Sequence, residues 1–194
     1  MPSPLKYRDP EAAQYCARAF RQTALALLDA APKGIGDGAR QASPEALGSI
    51  VCAATNLSFA LELYLKAAHI RARTGFNLKT HRLDTLFSSL PEEERTDVSA
   101  RYEALLKQVR DDQIQFIDLA RGPVTTPAWP MGDRLRDGLV PMLERSRDVF
   151  QSWRYAFEIG LPRASMHQVI RFEHSLMHIA CEALERHLSE AKAL

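Results

Sequence analysis

Cysteine is scarce in this chain, and its positions do not suggest a cross-linked fold. Cys16, Cys52 and Cys181 are odd in number and far apart. Secreted domains that depend on disulfides carry an even set of cysteines, and zinc knuckles place them in close pairs. The pattern therefore predicts three buried, free thiols in a reducing compartment.

Long hydrophobic runs and an excess of one charge are also missing. No stretch approaches eighteen consecutive apolar residues, and the N-terminal MPSPLKYRDPEAAQ lacks the apolar segment of a signal peptide. With 25 basic and 24 acidic residues the chain is almost neutral, so it has no overall attraction for nucleic acid or membrane. We expect a cytoplasmic protein that does not bind membranes, and any binding surface must be local.

Strand signals are weak, because no segment alternates strictly between apolar and polar residues, whereas helical periodicity runs from end to end. The 194 residues, of which 46% are hydrophobic, suit one domain. We predict an all-α fold, in which residues 1–194 form a single antiparallel bundle of about five to six helices. The predicted helices cover about 9–30, 44–74, 81–90, 92–120, 133–158 and 162–188.

Local signals mark where several of these helices begin and end. Asp9 can cap the first helix with Pro10 at its first position, and Ser43-Pro44-Glu45 starts the second. The fifth helix contains Pro141, where it can bend. The three prolines of segment 121–132 predict an irregular connection.

The second helix carries both an apolar and a polar stripe. Ile50, Leu57, Leu61 and Leu65 recur at helical spacing and predict the core face, whereas Glu62, Lys66 and His69 fall on an adjacent polar stripe. Glu62 precedes Lys66 by four residues, the favourable order for an ion pair on a helix. A solvated edge is the simpler interpretation of this polar stripe.

The last predicted helix gathers polar side chains within a sector of about 100°. These are Arg163, His167, Arg171, His174, His178, Glu182 and Glu185. Any amphipathic helix segregates its polar residues, so a solvated face is one interpretation. The composition allows another, because arginine can hold a phosphate while histidine moves a proton near neutral pH. Such a set could cleave a phosphodiester without metal.

Metal and nucleophile signatures are weak. His174 and His178 are four residues apart, a spacing at which two imidazoles can share a metal ion, but no HExxH pattern is present. The chain also lacks the GxSxG pattern of serine hydrolases. We therefore predict neither a metal site nor a cofactor.

Residues 152–158, SWRYAFE, form a dense aromatic motif around Arg154. This arginine could stack on an aromatic ring and bind a substrate or partner. Alternatively, the motif is an aromatic helix end that packs on the bundle, with Arg154 and Glu158 paired at its rim.

Residues 56–91 contain ELYLK at 62–66, a glycine-containing loop and THRLDTLF at 80–87. This run, about a fifth of the chain, resembles the "E..LK … K.H.L..L" pattern of HEPN-domain proteins. Proteins of that family are helical bundles found in prokaryotic toxin, defence and nucleotide-handling systems. We take Glu62, Lys66 and His81 of this run, together with Arg154, as candidate substrate-binding residues.

Catalytic members of the family cut RNA without metal through an R-x4-6-H motif, and a homodimer completes the site. Arg171 and His178 are separated by six residues, although Phe172 stands where the family usually has a polar residue. The resemblance implies that Arg171 engages the phosphate and that His178 is the general acid or base, with His174 assisting.

Many relatives of this family lack the motif and act as binding or scaffold modules, so two functions are expected. One is a homodimer that binds RNA or a nucleotide, and that could be a metal-independent endoribonuclease. The other is a non-catalytic interaction module whose protein partner contacts SWRYAFE and segment 121–132.

Overall fold

A computed structural model describes residues 9–30, 44–75, 77–109, 115–118, 122–125, 138–147 and 171–190. These residues form six helices and three short strands. The helices are α1 (Pro10–Ala30), α2 (Pro44–Arg71), α3 (Leu83–Ser88), α4 (Glu92–Leu106), α5 (Leu139–Arg145) and α6 (His174–Glu190). The strands are β1 (Gln115–Asp118), β2 (Gly122–Thr125) and β3 (Arg171–Phe172). The predicted helical bundle is thus confirmed, with a small sheet added to it.

Asp9 sets the start of α1, as predicted. Its carboxylate accepts the backbone N–H of Glu11 at 2.8 Å, and its carbonyl accepts the N–H of Ala13 at 3.1 Å. Pro10 occupies the first helical position, where the N–H that proline lacks would have no partner within the helix.

Helix α2 is the centre of the core. It packs against α1, α3 and α6, and the predicted apolar stripe of Ile50, Leu57, Leu61 and Leu65 is buried. The span Gly48–Arg71 is long and apolar enough to cross a membrane by length and composition, yet neighbouring helices bury more than half of it. A helix that is apolar on several sides and covered by other helices has the environment of a core helix.

The end of α2 is a tight turn with Arg73 in the left-handed region at φ 49°. The N–H of Thr74 bonds to the carbonyl of His69, and the N–H of Arg73 to that of Ile70, each at 3.3 Å. This pair of bonds is the Schellman arrangement, in which glycine usually occupies the left-handed position. The helix therefore ends three residues before the predicted Thr74.

His69 fastens this corner to α3. Its Nε2–H donates to the carbonyl of Leu86 at 2.7 Å, while Nδ1 accepts from the Thr74 hydroxyl at 2.8 Å. The side chain is buried, and this burial lowers the pKa of His69, which favours the neutral ring that these two bonds require. The prediction of a solvated edge is wrong here, because His69 belongs to the core.

A three-stranded antiparallel sheet replaces the end of the predicted fourth helix. Helix α4 ends at Leu106, and β1 lies between β2 and β3. Phe116 and Ile117, which fall within the helix predicted at 92–120, pair with Val124 and Pro123 of β2. Segment 121–132 is thus not irregular throughout, because its residues 122–125 form that strand.

The fifth predicted helix ends earlier than expected, and the sixth begins later. Helix α5 ends at Arg145 and is followed by a turn, and α6 begins at His174 after β3. Pro141 lies in the first turn of α5, where its missing N–H costs no helical hydrogen bond. Residues 148–158 and 162–170 of the predicted helices lie outside the described residues.

The three thiols are free, but only one of them is buried. Cys181 is covered in α6, whereas Cys16 in α1 and Cys52 in α2 are exposed. The prediction of buried thiols is wrong for the latter two, because each lies on the solvent side of its helix.

Candidate functional site

The predicted catalytic residues do not share one helix. Arg171 lies in β3 opposite Asp118 of β1, whereas His174 begins α6 and His178 lies one turn further on. The extended backbone at residues 171 and 172 breaks the register that placed Arg171 and His178 on one helical stripe. The predicted continuous helix is therefore wrong at RFEHSLMH, because β3 pairs with a strand that is distant in the sequence.

Glu173 connects β3 to α6 and is almost fully buried. The Nη2 of Arg145 lies 3.1 Å from one carboxylate oxygen of Glu173, and its Nε lies 3.2 Å from the other. The carbonyl of Glu173 accepts the N–H of Met177 at 3.0 Å. This ion pair ties α5 to the start of α6, which orients the histidines that follow.

Part of the polar side of α6 contacts α1 instead of facing open solvent. Arg18 donates from Nε to Glu185 at 2.6 Å, and the side-chain amide of Gln14 donates to the Ser189 hydroxyl at 3.3 Å. The contacts advance in opposite directions along the two helices, so α1 and α6 are antiparallel. His178 lies about two turns before Glu185, on the same side of α6. The solvated face expected from the sequence is thus an interhelical seam.

Four side chains from three helices lie at or near this seam, and we call them the seam cluster: Arg21, Tyr64, His178 and Glu185. The Nη2 of Arg21 pairs with Glu185 at 2.8 Å, and both side chains are only 16% exposed. Tyr64 of α2 is fully buried. Both Tyr64 and His178 lie within electrostatic range of Arg21 and Glu185.

Burial keeps the histidines of this region neutral. It is the main cause that lowers the pKa of His178, and the positive charge of Arg21 lowers it further. Burial also lowers the pKa of His174 to about 4, with a smaller contribution from His178. Neutral imidazole is the form that can accept a proton, so His178 is suited to act as a base near neutral pH.

The buried Cys181 is not suited to act as a nucleophile, and the described residues contain no metal centre. Burial raises the pKa of the Cys181 thiol to about 12, so the thiolate that would act as a nucleophile does not form near neutral pH. Within the described ranges, no three His, Cys, Asp or Glu side chains converge as metal ligands, so the pair His174 and His178 has no third ligand there.

The seam cluster contains buried polar atoms that the described residues do not satisfy. The Nε and Nη1 of Arg21, the hydroxyl of Tyr64 and the Nδ1 of His178 have no hydrogen-bond partner among those residues. Buried groups without partners are rare, and each costs about 1–3 kcal/mol. Burial raises the pKa of Tyr64, so its phenol remains a donor. Together these groups could hold an anion with several oxygen acceptors.

The charges around the cluster favour an anion by a small margin. Arg18 and Arg21 share Glu185, and Arg186 pairs with Glu182 at 2.5 Å on the more exposed side of α6. Arginines therefore outnumber glutamates by one. Guanidinium groups bind phosphate and carboxylate oxygens with a geometry that lysine does not reproduce.

Three polar residues of the pattern described for residues 56–91 meet at a second place, which we call the motif cluster: Glu62, Lys66 and His81. Glu62 is fully buried, and its carboxylate accepts from Lys66 at 2.6 Å and from Nδ1 of His81 at 3.0 Å. The predicted ion pair between Glu62 and Lys66 is confirmed, although Glu62 is not on a solvated edge. The cluster joins the loop after α2 to that helix, and a role in substrate binding stays a prediction.

A third network, at the C-terminal end of α6, was not foreseen from the sequence. Nδ1 of His187 lies 2.6 Å from Asp97, and its Nε2 contacts Glu94. Arg71 donates to the carbonyl of His187 at 3.0 Å and to Glu94 at 3.1 Å. Because these groups satisfy one another, the network is explained by its role in joining α2, α4 and α6.

Arg21 and Tyr64 were also missed as site residues. Gln14, Arg18 and Arg21 recur at helical spacing, and that polar stripe on α1 is the signal that could have paired it with α6. Tyr64 gives no such signal, because an aromatic residue within an apolar helix is usually core. The predicted Arg154 lies outside the described residues, as does the rest of SWRYAFE.

Comparison of the chain with protein-family models, with curated proteins and with solved structures gives no match. The chemistry of the seam cluster is consequently the main guide to function.

Proposed function

We propose that the protein is a HEPN-like helical protein that binds RNA or a nucleotide through a phosphate group at the seam cluster. The observation that carries this proposal is the set of buried donors on Arg21 and Tyr64 that lack partners among the described residues. Phosphate oxygens accept from guanidinium and phenol groups, so binding would satisfy these donors and recover the cost of burying them.

In this proposal Arg21 takes the phosphate-binding role that the sequence pattern suggested for Arg171. Arg21 belongs to the same cluster as His178, whereas Arg171 lies in β3, before α6 begins. The ion pair with Glu185 holds the guanidinium of Arg21 in place. A positioned arginine loses less side-chain freedom when a ligand binds.

The same arrangement supports metal-independent cleavage of RNA as an activity of this site. His178, kept neutral by burial, would take the proton of a 2′-hydroxyl as that oxygen bonds to phosphorus and the bond from phosphorus to the 5′-oxygen breaks. The protonated His178 would then give this proton to the departing 5′-oxygen, and Arg21 would stabilise the charge that develops on the phosphate. With a pKa of about 4, His174 is neutral near pH 7 and is not suited to supply a proton there. His174 would therefore assist only by shaping the surroundings of His178.

The resemblance to HEPN-domain proteins adds support of a different kind. Three of the four polar residues of its pattern, Glu62, Lys66 and His81, form one cluster in the fold, and the fourth, Lys79, is exposed. With the resemblance come two further proposals, that the protein works in the cytoplasm and that it forms a homodimer.

A non-catalytic interaction module is the second candidate function. The packing of the α6 polar stripe against α1 favours it, because Arg18, Arg21 and Glu185 form ion pairs of the kind that join two helices. On this alternative the seam is structural, and a protein partner binds elsewhere on the chain.

The test uses mixed RNA with EDTA present, and measures both cleavage and retention of RNA on a filter. The variants are Arg21→Lys, His178→Gln and Arg171→Ala, with Arg82→Lys as the control, since Arg82 is half exposed and paired with Asp84. Loss of cleavage in the first two variants alone supports a nuclease at the seam cluster. Binding without cleavage, lost in Arg21→Lys, supports the binding function. If the wild type neither binds nor cuts RNA and binds no nucleotide, the proposal fails and the interaction module is favoured.

A further inference from the structure

The unsatisfied donors of the seam cluster lie beneath the surface of the bundle. Tyr64 is fully buried on α2, and the Arg21 side chain is only 16% exposed between α1 and α6. A ligand group must therefore project from its molecule to reach these donors. A phosphodiester inside a strand continues into a sugar on both sides, so the whole strand would have to enter and leave the seam.

The number of donors also favours a phosphate at the end of the ligand molecule. The free Nε and Nη1 of Arg21 carry three N–H hydrogens, and the Tyr64 hydroxyl adds one O–H. A phosphodiester offers two unbridged oxygens, whereas a phosphomonoester offers three and carries more negative charge. Donors that approach from two helices are better matched by the three oxygens of a terminal phosphate.

The surrounding charges tolerate such a group. Glu185 would repel a phosphate, but Arg18 and Arg21 both pair with it and offset its charge. Glu182, the other nearby carboxylate, is paired with Arg186. Among the described residues, one arginine in this region has no matching glutamate, so its positive charge can offset part of the negative charge of the ligand.

We infer that the seam cluster binds a terminal phosphate, carried by a nucleotide or by the end of an RNA, and not a phosphodiester within a strand. This inference rests on the binding function proposed above, because it names the class of ligand for the same site. It excludes cleavage of RNA at the seam cluster, since that reaction needs a phosphodiester within a strand. A nucleoside monophosphate and a phosphorylated RNA end offer the same three oxygens. An experiment must therefore identify which of these molecules bears the phosphate.

The test is calorimetric titration of the full chain with matched pairs of ligands. AMP is compared with adenosine, and one RNA oligonucleotide is compared with a 5′-phosphate, with a 3′-phosphate and with no terminal phosphate. We expect removal of the terminal phosphate to weaken binding at least about tenfold in one of these series, because hydrogen bonds to charged groups are lost. Binding of AMP alone identifies a nucleotide, and binding of a phosphorylated oligonucleotide identifies an RNA end. Either result supports the inference.

Variants test whether the terminal phosphate binds at the seam cluster. Arg21→Lys should weaken binding of the phosphorylated ligand by about 10-fold or more, and Tyr64→Phe by about 2–10-fold, whereas Arg82→Lys should leave it unchanged. Urea unfolding of each variant verifies that it is folded.

Two results overturn the inference in distinguishable ways. If the oligonucleotide with no terminal phosphate binds as tightly as its phosphorylated forms and loses affinity in Arg21→Lys, the site takes an internal phosphodiester. Cleavage of RNA that is lost in Arg21→Lys and His178→Gln has the same meaning. In either case the proposed function stands and this inference fails. If neither RNA nor nucleotide binds the wild type, both fail.

Discussion

The buried hydroxyl of Tyr64 separates the ligand-binding account from a purely structural one, because its removal should stabilise the ligand-free protein. The side chain is fully buried, and the hydroxyl has no hydrogen-bond partner among the described residues. An unsatisfied buried hydroxyl costs about 1–3 kcal/mol, and phenylalanine retains the ring that fills the core. Tyr64→Phe should therefore raise the free energy of unfolding by about 1–3 kcal/mol.

Urea denaturation followed by circular dichroism measures this change, and the slope of the transition should stay the same if the native and unfolded states are otherwise unaltered. Thermal unfolding gives a second measure, since 1 kcal/mol shifts the midpoint by about 2–4 °C in a chain of this size. Tyr15→Phe is the matched control. Tyr15 is 71% exposed on α1, so its hydroxyl is free to bond to water and the change should stay within about 0.5 kcal/mol.

Whether Tyr64→Phe raises or lowers the free energy of unfolding distinguishes a ligand-binding role from a purely structural one. If Tyr64→Phe lowers the free energy of unfolding by about 1 kcal/mol or more, the hydroxyl makes a stabilising hydrogen bond in the ligand-free protein. The Tyr64 hydroxyl would then already have a partner and would not be free to bind a ligand. A gain in stability together with weaker binding is the trade-off expected of residues kept for function.

Three further predictions concern other parts of the fold. The pKa of His174 falls from 6.5 to about 4 on folding, so the unfolded chain takes up a proton first as the pH drops. Stability present above pH 6.5 should decline toward pH 4, by about 2 kcal/mol at pH 5 for this residue, and urea unfolding at pH 7 and pH 5 should show a smaller decline in His174→Gln. Glu62→Gln should lower the free energy of unfolding by about 1–3 kcal/mol, because the buried carboxylate bonds to both Lys66 and His81. His81→Gln should cost less than about 1 kcal/mol, since that ring is 44% exposed, and the reverse order of the two variants would contradict the geometry. Arg73→Gly should raise the thermal midpoint through a gain of up to about 1 kcal/mol, because glycine adopts the left-handed φ of 49° without strain; a lower midpoint would show that the Arg73 side chain contributes more than the backbone strain costs.

Helices set by local signals could be predicted from the sequence. The aspartate cap and proline of α1, and the proline start of α2, act through neighbouring residues, and the apolar stripe of α2 needs only the helical period. The sheet could not be predicted in this way. β1 is short, and its pairing with β2 and β3 depends on residues that are far apart in the sequence, such as Asp118 and Arg171.

In the candidate site, too, contacts within one helix could be predicted from the sequence and contacts between helices could not. The pairing of Glu62 with Lys66 follows from a spacing of four residues on one helix, and the sequence was sufficient for it. His178 was also found, but its surroundings were not, because the nearby charge of Arg21 comes from another helix. Arg171 was assigned to the same face because helical periodicity was extended into residues that form β3. A pattern within one helix cannot reveal which neighbour covers it.

The most direct test of the central claim is the Nε–H resonance of Arg21 in a proton–nitrogen correlation spectrum, assigned with the Arg21→Lys variant. Titration with AMP should shift this resonance, because a phosphate at the seam cluster would accept its hydrogen bond, while the Nε–H of Arg82, which donates to Asp84, should not move. The same spectra recorded with 5′-phosphorylated RNA extend the test to the other carrier. If the Arg21 resonance stays in place while either ligand saturates the protein, the phosphate is bound elsewhere and the account of the seam cluster is wrong.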